Sequence, residues 1–160
     1  MIKRLLNKLA YVMPGGDSLR PWLHRMRGAK IGKNVWIAQH VYIDEIHPEM
    51  VTIGNNSTIG LRTSIIAHIY WGGRKNTEQG RVVIENDVFV GPHCVIMPNV
   101  RIGQGAVIKG GTVVSRDVPP FTFWGLPNPG PLAHVTVPLT WEHSYAEFVK
   151  GLRPIRKKKV

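Results

Sequence analysis

The fold is decided by residues 84–119, which read IENDVF VGPHCV IMPNVR IGQGAV IKGGTV VSRDVP when the chain is divided into sixes. The first position of every unit is Ile or Val, and the fifth is small or β-branched. An α-helix turns once in about 3.6 residues, so it cannot gather every sixth side chain on one face. Short strands joined by tight bends can do so, because each unit then forms one flat side and points its first residue inward.

The same period begins at Ile31 and is interrupted by AHIYWGGRKNTEQGRV at residues 67–82. Three units make one triangular coil, so we predict a mainly β fold, a parallel β-solenoid over 31–119 with an excursion loop over 67–82. The second position is often Gly, which we predict to make the bends through unusual dihedral angles. An antiparallel β-sandwich is disfavoured, because its strands would alternate with a period of two.

The two ends of the chain lack the repeat and are predicted to carry helices. In the N-terminal cap, residues 1–30, an amphipathic helix is expected over 2–12 and a second one from Asp17 or Ser18 to Gly28. The C-terminal segment, residues 120–160, contains WEHSYAEFVKGL at 141–152. The apolar residues of this stretch recur at three and four, which predicts a short helix before the basic tail RPIRKKKV.

The chain is strongly basic, with 21 Lys and Arg against 10 Asp and Glu and a formal net charge of +11. Much of the excess lies at the two ends, which favours anionic partners such as phosphates or an acidic membrane surface. Plain solubility and ligand phosphate contacts are the alternatives for the basic tail. The basic helix at 2–12 adds the expectation of peripheral membrane contact. No nucleic-acid recognition motif is present, so nucleic acid is not an expected partner.

The single cysteine, Cys94, excludes an internal disulfide framework and fits a reducing compartment. We therefore expect a cytoplasmic protein, located at the inner membrane surface if its basic ends bind lipid. A signal peptide is not predicted, because Asn7 and Lys8 break the N-terminal apolar run. A transmembrane helix is not predicted either, since no uncharged apolar stretch approaches roughly 18 residues.

The IGxNV-type repeats, their interruption and the closing run VVSRDVPPFTFWGLPNPGP resemble the hexapeptide-repeat O-acetyltransferases over residues 31 to about 131. The similarity is to the maltose and galactoside acetyltransferases and to the sugar acetyltransferases of polysaccharide biosynthesis. It implies a left-handed parallel β-helix, a homotrimer, acetyl-CoA bound between adjacent subunits, and a saccharide acceptor. It implies no metal.

The resemblance also assigns residues to roles. Members of the family carry a histidine general base on the excursion loop, and His68 is the histidine here that qualifies by position. An imidazole with a pKa near 6.5 can take a proton from a sugar hydroxyl while that hydroxyl attacks a thioester. Surface position in a loop is the alternative interpretation of this histidine.

CoA is expected along a surface lined mainly by small residues, because bulky side chains would block a pantetheine arm. The resemblance places seven residues there: Phe89, Gly91, Gly110, Gly111, Ser115, Arg116 and Pro127. The three glycines have an alternative role as bends. Expected acceptor-binding residues are Tyr42, Asp44 and Trp71, with Asp44 alternatively a solvated bend residue. The acceptor-binding Asn of the relatives falls on Ala38, which argues against a simple maltose or galactoside acceptor.

Three other functions remain open on sequence alone. An N-acetyltransferase for an amino sugar would use nearly the same parts. A γ-type carbonic anhydrase shares the solenoid and binds zinc through three histidines, but His40, His68 and His93 lack the required spacing. The third is a non-catalytic solenoid that acts as a scaffold.

Overall fold

The computed structural model describes residues 2–68, 80–126, 133–137 and 144–154. The chain divides into two compact units, residues 1–126 and 127–160. The first unit begins with two helices, α1 (Ile2–Val12) and α2 (Leu19–Met26), which pack on each other. None of the helices in these ranges has the length and apolar character needed to span a bilayer.

The helices end where the sequence provides signals for it. Pro14 and Gly15 follow α1, and Gly15 has a φ of +86° that a residue with a side chain rarely adopts. The second helix is followed by Gly28 with a φ of +109°, the usual position of a C-terminal glycine. Both N-terminal helices are therefore present as predicted.

The rest of the first unit consists of short parallel strands. They are β1 (Lys30–Ile31), β2 (Trp36–Ile37), β3 (Tyr42–Ile43), β4 (Val51–Ile53), β5 (Thr58–Ile59), β6 (Ser64–Ile65), β7 (Val82–Ile84), β8 (Phe89–Val90), β9 (Val95–Ile96), β10 (Arg101–Ile102), β11 (Val107–Ile108), β12 (Val113–Val114) and β13 (Phe123–Trp124). A short 3₁₀ helix, Pro48–Met50, precedes β4. Each strand pairs in parallel with a strand one coil away, as a solenoid requires.

Three sheets form the sides of the solenoid. Face 1 has the order β1-β4-β7-β10, face 2 the order β2-β5-β8-β11-β13, and face 3 the order β3-β6-β9-β12. We call the corners between faces 1 and 2 the first edge, between faces 2 and 3 the second edge, and between faces 3 and 1 the third edge. This parallel pairing confirms the predicted parallel β-solenoid, which extends past residue 119 to β13 and resumes after the excursion at Val82.

The core is built from the first position of the repeat. Ile37, Ile59, Ile84 and Ile102, like their equivalents in other coils, have no exposed surface. The fifth positions also point inward and are small, as at Cys94 and Ala106. Each buried Ile or Val contributes about 1.5–3 kcal/mol relative to an exposed one, so the stack of isoleucines is the main stabilising feature.

The bends are made by the fourth residue of the repeat, and the prediction that the second-position glycines make them is wrong. The fourth residue has a positive φ in nine units, at Asn34, His40, Asn56, Arg62, Asp87, His93, Asn99, Gly105 and Gly111, but not in the units that begin at Ile43, Ile65 and Val114. Asn, Asp and His tolerate this conformation because their side chains can bond locally.

The second-position glycines have a different role. A Cβ on Gly54 or Gly60 would lie 2.5 Å from a backbone carbon of the next coil, and one on Gly91 would lie 2.5 Å from the nitrogen of Gly110. These residues are glycine because adjacent coils approach too closely there for any side chain. The close approach keeps the coils at sheet spacing around each edge.

The second unit contains a helix, α3 (Tyr145–Lys150), and an antiparallel pair, β14 (Ala133–Val135) with β15 (Leu152–Pro154). Ser144 caps the helix in a reciprocal arrangement with Glu147. The helix predicted over 141–152 thus ends earlier, because Leu152 extends into a strand that pairs with Val135. Trp141 lies outside the described residues.

Candidate active site

The candidate site lies on the third edge, where the chain leaves β3. Asp44 follows the inward-facing Ile43 and has no exposed surface. Its Oδ1 accepts hydrogen bonds from the backbone N–H groups of Ile46 (2.9 Å) and His47 (2.8 Å). One carboxylate oxygen is therefore fully used in shaping this corner.

The other oxygen of Asp44 faces the start of the excursion. Oδ2 accepts the backbone N–H of Ala67 at 2.8 Å and also contacts Nδ1 of His68. A carboxylate only accepts, so Nδ1 carries the proton and Nε2 keeps a lone pair. The His68 side chain is 13% exposed, which leaves its ring within reach of a ligand. The pair is an imidazole held in one tautomer by a buried carboxylate.

The pKa of Asp44 lies below its usual value. Burial alone would raise it, but the N–H groups of His47 and Ala67 and the ring of His68 outweigh burial by stabilising the charged form. Asp44 is thus a carboxylate at neutral pH.

Two buried residues, His24 of α2 and Arg27 directly after the helix, lie behind the same corner. The guanidinium of Arg27, which has no exposed surface, donates to the carbonyls of Asp44 (2.6 Å) and Ile43 (3.1 Å). Its other terminal nitrogen lies 2.9 Å from Nδ1 of His24. Burial and then the charges of Arg27 and Arg20 lower the pKa of His24 to about 3, so this ring is neutral and accepts the bond.

Sequence reasoning missed this pair, since it treated His24 as an ordinary polar residue of the surface or the cap. The signal was present, because Arg20, His24 and Arg27 recur at four and three residues, on the same side of α2 as Leu23. The two arginines of this face donate to backbone carbonyls of the chain, whereas the His24 ring bonds to Arg27. Arg20, for example, donates from Nε to the carbonyl of Ile37 at 2.7 Å.

The returning end of the excursion is fixed beside His68. Gly80 has a φ of +111°, and a Cβ there would collide with the carbonyl of Ala67. Its N–H donates to Oδ1 of Asn99 at 2.6 Å, and β7 resumes at Val82. The two stems of the excursion therefore meet directly behind His68, although residues 69–79 lie outside the described ranges.

The predicted CoA-binding residues fall on two different edges. Ser115 and Arg116 lie on the third edge, two coils beyond His68, and the Arg116 guanidinium stacks 5.7 Å from the Trp124 ring centre. Phe89 is 48% exposed on face 2. The remaining described members of the set lie on the second edge: Gly91, Gly110 and Gly111. A six-residue side is at most about 20 Å long, so one chain spreads these groups widely.

The acceptor-binding predictions have different outcomes. Asp44 cannot contact an acceptor, because it is fully buried and both oxygens already bond within the chain; it is not a solvated bend residue either. Tyr42 is half-buried beside it, and its hydroxyl receives the N–H of Glu45 at 3.2 Å. Trp71 and the CoA-binding candidate Pro127 lie outside the described residues.

Other reactive groups do not join this site. Cys94 is buried in the core, where burial raises the pKa of its thiol. Within the described ranges, no three His, Cys, Asp or Glu side chains come together as metal ligands would. An open cavity of about 550 Å³ lies on the second edge beside Ala38 and Arg20, away from the third edge that carries His68.

Several known proteins have sequences similar to that of this chain. The family model described as Bacterial transferase hexapeptide (six repeats) matches residues 81–116. "Putative acetyltransferase YvoF" of Bacillus subtilis is 38% identical, with 67% of this chain and 62% of that protein covered. Galactoside O-acetyltransferase of Escherichia coli is 30% identical, with 74% and 70% covered. The chain belongs to the hexapeptide-repeat acetyltransferase family.

The same family appears among solved structures. Soybean serine acetyltransferase, solved with serine, superposes with a TM-score of 0.51 at 27% identity, with 79% of this chain and 53% of that chain covered. The chain thus spans about half of this relative and 62% of the Bacillus protein. Within the family, the parallel solenoid described above is a left-handed β-helix, as the resemblance implied.

Proposed function

We propose that this hexapeptide-repeat protein is an acyltransferase that moves the acetyl group of acetyl-CoA to a hydroxyl of a saccharide or glycan precursor. The observation that carries the proposal is the pairing of buried Asp44 with Nδ1 of His68, which leaves Nε2 as a base. A hydroxyl acceptor needs such a base, because a neutral alcohol is a poor nucleophile.

The chemistry follows from the tautomer. Nε2 of His68 takes the proton of the acceptor hydroxyl while the hydroxyl oxygen forms a bond to the acetyl carbonyl carbon. The carbon–sulfur bond then breaks, and the departing CoA thiolate takes the proton back from the imidazolium. Asp44 stabilises that imidazolium through its negative charge and keeps the ring in position. The low pKa of Asp44 supports this role, because a protonated acid would not stabilise the cation.

A homotrimer would complete the site, and it belongs to the same proposal. One chain places His68 on the third edge but Gly91, Gly110 and Gly111 on the second. Two copies packed side by side would bring a third edge against a second edge and form one CoA cleft. An outward column on face 2 supports such packing, since Trp36 and Phe89 are each 48% exposed and Phe123 is 73% exposed.

Two relatives give information on the acceptor. The Escherichia coli relative is by name an O-acetyltransferase of galactosides, and the soybean structure was solved with serine. The first name supports transfer to a hydroxyl, and serine carries a hydroxyl as well as an amino group. The reducing context expected from the single buried Cys94 supports a cytoplasmic role in glycan or polysaccharide biosynthesis.

The test is acetyl-CoA turnover, read as thiol release, with a panel of sugars, amino sugars, glycolipid precursors and serine. His68→Ala should lower turnover about 10²–10⁴-fold while CoA binding by calorimetry stays nearly unchanged. His134→Gln serves as the control, because this exposed histidine lies in the second unit. Unchanged turnover in His68→Ala would remove His68 as the base, and exclusive activity on amino groups would replace O-acetylation by N-acetylation.

A further inference from the structure

The first helix has an apolar stripe that the fold leaves uncovered. Ile2, Leu5, Leu9 and Val12 are 73%, 59%, 36% and 55% exposed. Their spacing of three, four and three residues puts them on one side of α1. The side that packs against the body is a different one, centred on the buried Ala10 and the half-buried Leu6. A surface helix normally turns polar residues outward, so this second apolar side is unusual.

The second helix contributes further apolar surface. Trp22 is 50% exposed and Met26 58% exposed, one turn apart on the side of α2 opposite its buried residues. Tryptophan is suited to a water–lipid boundary, because its ring is apolar while its N–H can still bond to water or headgroups. Both helices of the cap therefore expose groups that a bilayer interface would accept.

The charges of the cap complement an anionic surface. The exposed charges of residues 2–26 are Lys3, Arg4, Lys8 and Arg25 and one acid, Asp17, a net charge of 4 − 1 = +3; Arg20 is buried. Lys3 lies 3.7 Å from Glu49 and Arg4 lies 3.4 Å from Glu45, which fixes one flank of α1 against the solenoid. Lys8, on the remaining flank of the stripe, is exposed.

We propose that the stripe of Ile2, Leu5, Leu9 and Val12 inserts into the interface of a membrane rich in anionic lipid, with α1 lying parallel to the bilayer. A second copy of the chain is the competing occupant. Charge decides between them, because a second copy packed stripe to stripe would place its own Arg4 and Lys8 beside those of the first copy. An anionic lipid surface instead attracts each nearby Lys or Arg by about 1 kcal/mol, which is about fivefold in binding.

The experiment is cosedimentation of the full chain with vesicles at low salt, using phosphatidylcholine alone or with roughly one third phosphatidylserine. Wild type should bind the anionic vesicles and bind the neutral ones far less. Leu5→Gln with Leu9→Gln should weaken binding at least about tenfold, because both side chains would otherwise be buried in the interface. Lys8→Gln should weaken binding to anionic vesicles about fivefold.

Val135→Gln is the control for a single apolar loss and is compared with Leu5→Gln alone; Val135 is 57% exposed but lies in the second unit. Circular dichroism confirms that each variant is folded. Sedimentation velocity tests the competing occupant. The proposal is overturned if wild type fails to bind anionic vesicles, if the leucine variant binds as well as wild type, or if that variant lowers the oligomeric state instead. None of these readouts depends on catalysis, so they stand apart from the proposed transferase activity.

Discussion

The first and third edges of the same solenoid use their corner side chains in different ways. On the first edge, Asn34 donates to Asn56 (3.3 Å) and Asn56 donates to Asp87 (3.0 Å), so polar groups run in a ladder from coil to coil. On the third edge, Asp44 accepts two N–H groups of its own corner, a third from Ala67, and the ring of His68. The ladder on the first edge is exposed, whereas Asp44 on the third edge is buried.

The difference shows how a repeat acquires a site without losing its fold. On both edges, a side-chain oxygen of one coil accepts a hydrogen bond from a backbone N–H group of the neighbouring coil. On the first edge every partner is another corner residue, so the bonds only join coils. On the third edge, one carboxylate oxygen of Asp44 also accepts a hydrogen bond from the imidazole of His68. We expect changes on the third edge to affect catalysis and equivalent changes on the first edge to affect stability alone.

The largest expected effect is that of Asp44→Asn. The new amide group would place a donor opposite Nδ1 of His68 or opposite the N–H of Ala67, where the structure has an acceptor. The ring would then favour the tautomer with a protonated Nε2, which cannot act as a base. Turnover should fall about 10²–10⁴-fold, measured by thiol release from acetyl-CoA.

Asp87→Asn on the first edge is the matched control for that substitution. Asp87 accepts from Asn56 and from Gln104 (3.1 Å), and Asn tolerates its φ of +60°. Turnover of this variant should equal that of wild type. Equal losses in the two variants would show that the edges do not differ in function.

The next effect is a pH dependence of stability that comes from His24, behind the third edge. Its pKa is about 3 in the folded chain and about 6.5 when unfolded, so between these values the unfolded chain holds more protons. The free energy of unfolding should therefore fall as the pH drops from 6 to 4. His24 should contribute about 1.4 kcal/mol of this loss per pH unit.

His24→Gln keeps an acceptor for Arg27 but cannot be protonated in this range. Denaturant unfolding from pH 6 to 4 should show a slope smaller than that of wild type by about 1.4 kcal/mol per unit. Parallel curves for the two proteins would mean that His24 is not buried in its neutral form.

The smallest effect compares two left-handed asparagines, Asn99 on the third edge and Asn56 on the first, with φ of +63° and +55°. Replacement by Gly keeps the backbone conformation and removes one side chain. Asn99→Gly frees the N–H of Gly80 and loosens the stem behind His68. We expect each variant to lose about 1 kcal/mol of stability, the usual worth of such bonds.

The two variants should separate in kinetics. Asn99→Gly should lower kcat/KM about threefold to tenfold, because the stem contacts the position of His68, whereas Asn56→Gly should leave it unchanged. Melting temperature and kcat/KM are measured on both. A lower kcat/KM in Asn56→Gly would show that any loosened coil disturbs the site.

The fold could be predicted from the sequence because the period of six decides which side chains point inward. That argument places Ile37, Ile59 and Ile84 in the core before any coordinates are known. Within the site, His68 was reached through its position on the excursion, and the family supplied its role. The assignment of His68 as a base remains a prediction.

The parts that could not be predicted are contacts between residues distant in sequence. A period tells which face a residue occupies, but not that Asp44 bonds to His68 or that Arg27 reaches the carbonyl of Asp44. The glycines at the second position show the same limit. Their role at Gly54 and Gly60 is close contact with the next coil, which no local dihedral preference indicates.

The meeting of Ala67 and Gly80 has a consequence for how this architecture diversifies. A segment whose two ends touch can be exchanged or lengthened without moving the coils above and below it, since loop closure costs little extra as length grows. The imidazole of His68 stays next to Ala67, where the excursion begins, while the inserted segment changes. The segment between Ala67 and Gly80 can thus be exchanged while the Asp44–His68 pair is kept.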